Sequence, residues 1–214
     1  MRHLIFLIGL ALSLGACSSV YYGAMEEVGF HKRDILVHRI NKAREEQSEA
    51  KEQFQSALER FTALTQFDGG DLQDKYEELN DAYEGSAAKA EAVGKRIADI
   101  ENVAEALFEE WEAELSQYSN PSLRRQSARQ LQETQRRYQR LITAMKRAEA
   151  KIDPVLSVFQ DQVLFLKHNL NARAIASLQT ELKAIEDDVA ALIREMERSI
   201  QEADAFIQAM QENT

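Results

Sequence analysis

From Leu36 to Leu64, small or apolar residues return at alternating intervals of four and three: Leu36, Ile40, Ala43, Ala50, Phe54, Ala57, Phe61 and Leu64, with Gln47 the one polar member. A strand alternates every second residue, so this recurrence belongs to a helix with one greasy stripe, sustained long enough to form a coiled-coil seam. The same alternation returns through Leu72, Tyr76, Leu79, Tyr83, Ser86, Ala90, Val93, Ile97, Ile100, Ala104, Leu107 and Trp111. A third run comprises Leu131, Thr134, Tyr138, Leu141, Met145, Ala148 and Ile152; a last one continues through Ile185, Val189, Leu192, Met196, Ile200, Ala203, Ile207 and Met210. Only eight Gly and two Pro interrupt 214 residues, too few breakers for a loop-rich or all-β fold. A mean hydropathy of -0.44 adds a thin core with much solvated surface. The expected fold is all-α: an elongated antiparallel bundle or coiled coil of about four long helices.

Three breaks divide the seams. Phe67-Asp68-Gly69-Gly70-Asp71-Leu72 supplies two glycines for a turn and Asp71 as a cap. At Asn120-Pro121, Asn120 can cap and Pro121 suits a first helical position, where its missing N–H costs nothing. Asp153-Pro154 is ambiguous, since it can start a helix or kink one. The seam stays in phase across it, from Ala148 through Ile152, Leu156, Phe159, Val163, Leu166 and Leu170, and slips only afterwards. That favours a turn near His168-Asn169-Leu170-Asn171 and four helices of about 42 to 48 residues, roughly 65 to 70 Å each. The rival is a short third helix and a fourth running from Pro154 to the carboxyl end. Gly85 and Gly94 each cost about 1 kcal/mol inside a helix, which suggests close approach of a neighbour. Val163-Leu164-Phe165-Leu166, apolar on every side, suggests a crowded part of the bundle.

The amino terminus reads as an address. Met1-Arg2-His3 is a short cationic start, and Leu4 to Leu14 is an apolar run of about eleven residues, too short to span a bilayer. Leu14-Gly15-Ala16-Cys17 follows and looks like the lipobox of bacterial lipoproteins, in which the chain is cut before the Cys and lipid is placed on its sulfur. The expected organisation is a signal peptide over 1–16, a lipidated linker over 17–23 and one helical domain over 24–214. By the same resemblance, Ser18 after the Cys implies forwarding to the outer membrane, facing the periplasm, rather than retention at the inner membrane.

The formal net charge of -10 opposes binding to nucleic acid. A single Cys excludes an intrachain disulfide framework and a thiolate zinc cluster. Charge is uneven, however. The second helix carries Asp71, Asp74, Glu77, Glu78, Asp81, Glu84, Glu91 and seven further acids. The third carries Arg124, Arg125, Arg129, Arg136, Arg137, Arg140, Lys146, Arg147 and Lys151. Antiparallel packing of the two would neutralise both; alternatively Arg124, Arg125, Arg129, Arg136, Arg137 and Arg140 bind an anion or an acidic partner. His168, Asn169, Asn171 and Arg173 are polar material in an apolar stretch, forming a turn or a small polar site. Glu27, His31, Asp34 and His38 share one helix stripe, a weak metal pattern that a solvated face explains better. No G-x-x-x-x-G-K-[ST] loop, G-x-S-x-G elbow or H-E-x-x-H occurs. No metal, cofactor or catalytic residue is expected.

The lipobox, Val20-Tyr21-Tyr22, Gly29-Phe30-His31-Lys32-Arg33-Asp34-Ile35-Leu36, the Phe67–Leu72 stretch and Leu164-Phe165-Leu166-Lys167-His168-Asn169-Leu170-Asn171-Ala172 together resemble an uncharacterised family of Gram-negative coiled-coil lipoproteins, known only as a domain of unknown function. Some of its members carry the label DNA repair ATPase, which the lack of a phosphate-binding loop argues against here. The resemblance implies no activity, cofactor or site residues. The expected role is a membrane-anchored scaffold or protein-interaction adaptor, whose partner is another envelope protein or a second copy of the chain. A cell-wall or anionic-lipid binding module is the alternative, and a metal-dependent enzyme the second alternative.

Overall fold

The computed structural model describes residues 31–67 and 71–212; the signal segment, Cys17, Glu27 and the Gly69-Gly70 pair lie outside them. Among the described residues four helices follow one another: α1 (Lys32–Thr65), α2 (Leu72–Glu114), α3 (Pro121–His168) and α4 (Ala172–Glu212), with a 3-10 turn over Leu115–Gln117 after α2. No strand occurs among the described residues. Each helix packs on its chain neighbour and α1 packs on α4, which closes a four-membered antiparallel ring. Three helices have 41 to 48 residues; α1 spans 34 within the described part.

The ends follow local chemistry. Asp71 accepts the Gln73 amide at 2.8 Å, and Asn120 accepts those of Ser122 and Leu123 at 2.8 and 3.4 Å, with Pro121 at the first helical position. Pro154 lies inside α3, which runs unbroken to His168, so the rival division at the proline is overturned. Its neighbours Ile152 and Val155 face the core while Pro154 is exposed. The Ala150 carbonyl, which loses its amide donor to the proline ring, is therefore on the side where water can replace that donor.

The α1 seam is buried as its spacing predicts, with Phe54, Phe61, Leu36, Ile40 and Leu64 fully covered. Elsewhere the buried band is wider than a seam, because every helix touches two neighbours. Ala82, Val103, Ile142 and Ala144 are buried as well, while Leu72, Tyr76, Tyr83 and Ala90 are only half-covered. In α4, Ser199 and Phe206 take the buried positions expected of Ile200 and Ile207, and in α3 Val155 takes that of Leu156. The Val163–Leu166 run is not crowded on all sides: Val163 and Leu166 are buried, but Leu164 and Phe165 are 51% and 42% exposed. Among the described residues nothing covers the outer surface of the last turns of α3, where Leu164, Phe165, Lys167 and His168 are exposed. Gly85 does mark a close approach: a Cβ there would lie 2.7 Å from Gln53 Nε2, which reaches across from α1 to donate to the Ala82 carbonyl. Gly94 makes the equivalent room, at 3.0 Å, for the Glu149 carboxylate of α3.

Gln47, the polar interruption of the first seam, is 1% exposed and accepts a 2.7 Å hydrogen bond from Ser199 Oγ of α4. Its Nε2 has no partner. A polar pair between two seams fixes axial register, because sliding either helix strands both groups in an apolar core. Ser199→Ala is expected to lower stability by about 1–3 kcal/mol, since it leaves the whole amide unpaired. Gln47→Leu is expected to match or exceed the parent. Urea unfolding of both variants measures the contrast, and a large loss in Gln47→Leu would contradict it.

Candidate anion-binding surface on the third helix

The core-facing residues of α3 include Ser127, Leu131, Thr134, Tyr138, Leu141, Met145 and Ala148. At 100° per residue the opposite side of the helix carries Arg125, Arg129, Arg136, Arg140 and Arg147, at successive spacings of four, seven, four and seven. These five form one outward stripe about 33 Å long at 1.5 Å per residue. Arg124, Arg125, Arg129, Arg136 and Arg140 are exposed, and Arg137 is half-buried.

The expected neutralisation between α2 and α3 is largely absent. The two helices are antiparallel neighbours, yet among the described residues one ion pair joins them, Lys146 to Glu101 at 2.5 Å, beside a hydrogen bond from the Gln135 amide to the Glu112 carboxylate at 2.9 Å. The outward stripe points away from α2, which is why the acids of α2 do not reach its five arginines. Glu110 of α2 pairs instead with Lys32 of α1 at 2.9 Å. Arg140 and Arg147 have only long contacts to Glu202 and Glu195 of α4, both 3.9 Å. Arg124, Arg125, Arg129, Arg136 and Arg137 make no ion pair among the described residues. Arg147 was not among the candidate anion-binding residues chosen from sequence; its place seven residues after Arg140 is the signal that would have added it.

The other candidate residues fall elsewhere. Asn169 and Asn171 are used within the turn from α3 to α4: Asn169 Nδ2 donates to the Phe165 carbonyl at 2.9 Å, and Asn171 Oδ1 accepts the amides of Arg173 and Ala174 at 3.0 and 3.1 Å. Their side chains cap two helix ends, while His168 and Arg173 are exposed beside them. His31, Asp34 and His38 are exposed at the start of α1. No group of three His, Cys, Asp or Glu is placed to hold a metal among the described residues. Trp111 joins helices, donating from Nε1 to Ser127 Oγ at 2.8 Å. It borders a cavity of about 90 Å³ with Arg33, Glu133, Thr134, Arg137 and Met210, room for a few waters only. Tyr138 packs edge-to-face on Phe108 at 5.4 Å. Burial, then the Glu101 and Glu105 charges, push its phenol up to about 12, so it stays neutral.

Glu149 lies in the groove between α2 and α3, where burial raises its pKa; Lys146 opposes the rise, and Glu101 and Asp153 add to it. A carboxyl raised in the fold favours the folded state when protonated, and that contribution is lost as pH rises from the unfolded pKa through the folded one. Glu149→Gln is therefore expected to melt above the parent at pH 7 and to lose that advantage below about pH 4. Thermal melts at the two pH values check the sign.

A family model described as a protein of unknown function matches residues 21–210, nearly the whole chain. No curated protein and no solved structure matches.

Proposed function

Because the chain belongs to the DUF2959 family of proteins of unknown function, which brings no activity with it, we propose a role from its own residues: an outer-membrane-anchored lipoprotein whose helical bundle works in the periplasm as a scaffold or protein-interaction adaptor. The observation that carries this reading is Leu14-Gly15-Ala16-Cys17 behind an apolar run of signal-peptide length. Two features support it. No described helix is long and apolar enough to cross a membrane, so attachment would rest on the lipid. The side chains that fill the bundle are spent on packing, ion pairs and caps, which suits a module that presents surfaces. The reading gives the module no reaction of its own.

Mass spectrometry of the protein extracted from membranes is the direct test. The expected mature chain begins at Cys17, carries fatty acyl mass on that residue and lacks residues 1–16. An intact Met1, or an unmodified Cys17, overturns the tether. Crosslinking in intact cells followed by affinity capture tests the adaptor role. A specific protein adduct absent from an untagged control supports it, and recovery of uncrosslinked protein alone overturns it.

A further inference from the structure

We propose that the outer face of α3 is a membrane-contact surface, and that the bundle lies along an anionic lipid leaflet with its arginines on the headgroup phosphates. The proposal deepens the tethered-lipoprotein reading by saying how the bundle sits on the membrane.

Charge is the first ground. In a chain of net charge -10, the span of α3 holds ten Lys and Arg against four Asp and Glu. The outward stripe Arg125-Arg129-Arg136-Arg140-Arg147 is its most exposed line. The guanidiniums of Arg125, Arg129 and Arg136, which no described carboxylate pairs, keep their full capacity for phosphate oxygens, which they grip with paired N–H donors. Carboxylates do border the face: Glu133 between Arg129 and Arg136, Asp161 farther along, and Glu195 and Glu202 on α4. None of them is close enough to Arg125, Arg129 or Arg136 to form an ion pair.

Apolar exposure is the second ground. Large apolar side chains exposed among the described residues are Tyr118, Leu123, Leu164 and Phe165. At 100° per residue Phe165, eighteen residues after Arg147, falls on the same outward line, with Leu164 next to it in the chain; Leu123 lies on the core side of α3 and Tyr118 precedes the helix. A basic line continued by an exposed aromatic ring is what an element lying in the headgroup region requires: phosphates for the charges and the acyl boundary for the ring.

Reach is the third. Lys32 at the start of α1 pairs with Glu110 near the end of α2, so α1 begins at the same end of the bundle as α3. Fourteen residues separate Cys17 from Lys32. Extended, they span at most about 50 Å, enough for the bundle to lie down beside its anchor.

The test uses the unlipidated mature chain, residues 18–214, so that its outcome does not depend on the anchor; the core from Ile35 to Met210 is retained whole. Cosedimentation is measured with vesicles of phosphatidylcholine alone, vesicles containing phosphatidylglycerol, and purified peptidoglycan sacculi. The expected result is binding to the phosphatidylglycerol vesicles, weakened by raised salt and reduced at least tenfold in Arg125→Glu/Arg129→Glu/Arg136→Glu. Lysine at the same three positions should retain most of the binding. Lys42→Glu/Lys75→Glu/Lys183→Glu, a matched charge reversal on the other three helices, should change it less than threefold. Circular dichroism and thermal melts confirm that each variant is folded. No binding to anionic vesicles, equal loss in the two reversal sets, or arginine-dependent binding to sacculi in preference to vesicles overturns the proposal.

Discussion

Cys17→Ala is expected to release the protein from carbonate-washed membranes and abolish incorporation of labelled palmitate, while the bundle itself keeps its melting temperature. Each buried acyl CH₂ contributes about 0.8 kcal/mol, so two or more chains give stable anchoring where a single chain binds reversibly. Alanine leaves no sulfur for a thioether, and without that lipid the cut before residue 17 is not expected either. The uncleaved apolar run from Leu4 to Leu14 would then be the only greasy segment outside the bundle. It is too short to span a bilayer. Fractionation after a carbonate wash therefore separates the cases: the parent stays in the pellet and the variant leaves it. The core among the described residues runs from Ile35 to Met210, and the melting temperature is expected to rest on it. A variant that remains in the washed pellet would refute lipid attachment through this residue.

Phe159→Ala is expected to cost about 3–5 kcal/mol, against a total of about 5–15 kcal/mol for a typical domain. Phe159 and Phe61 are both fully covered and meet edge to face, ring centroids 6.2 Å apart at 79°. They belong to α3 and α1, which stand diagonally across the ring, so their contact fills its centre. Truncating either leaves a hole lined by helices that are each held on two sides and cannot collapse freely. Phe61→Ala should cost a similar amount. The double variant should lose less than the sum, by about 0.5–1.5 kcal/mol, because each single change already removes the ring contact. Urea midpoints of the four proteins decide it, and additive losses would show that the two rings do not couple.

Helix number and boundaries were legible because they depend on local chemistry. Asp71, Asn120 and Pro121 act on the amides next to them, and the unbroken phase from Ala148 to Leu166 already spoke for continuity across Pro154. The width of the core was not legible. A seam assigns one direction inward, but a helix in a closed ring has two neighbours, and the angle between them decides between Ser199 and Ile200 or Phe206 and Ile207. That angle is set by the other helices. The α3 surface was half legible for a related reason. Composition marked the helix as basic and the acids of α2 suggested a partner, but only the direction of the core reveals that the arginines point the other way. Leu164 and Phe165 were misjudged because an apolar run carries no record of where neighbouring helices end.

The ring closes between its first member and its last, since α1 rests on α2 at one flank and α4 at the other. A polypeptide delivered amino end first, from a ribosome or through a secretion pore, offers α1 one of its two supports early and the other only when α4 arrives. Until then Phe54, Phe61 and the Gln47 amide have no complete shelter, so a truncation that removes α4 should yield an aggregating three-helix remnant, and α4 acts as the latch of the described bundle.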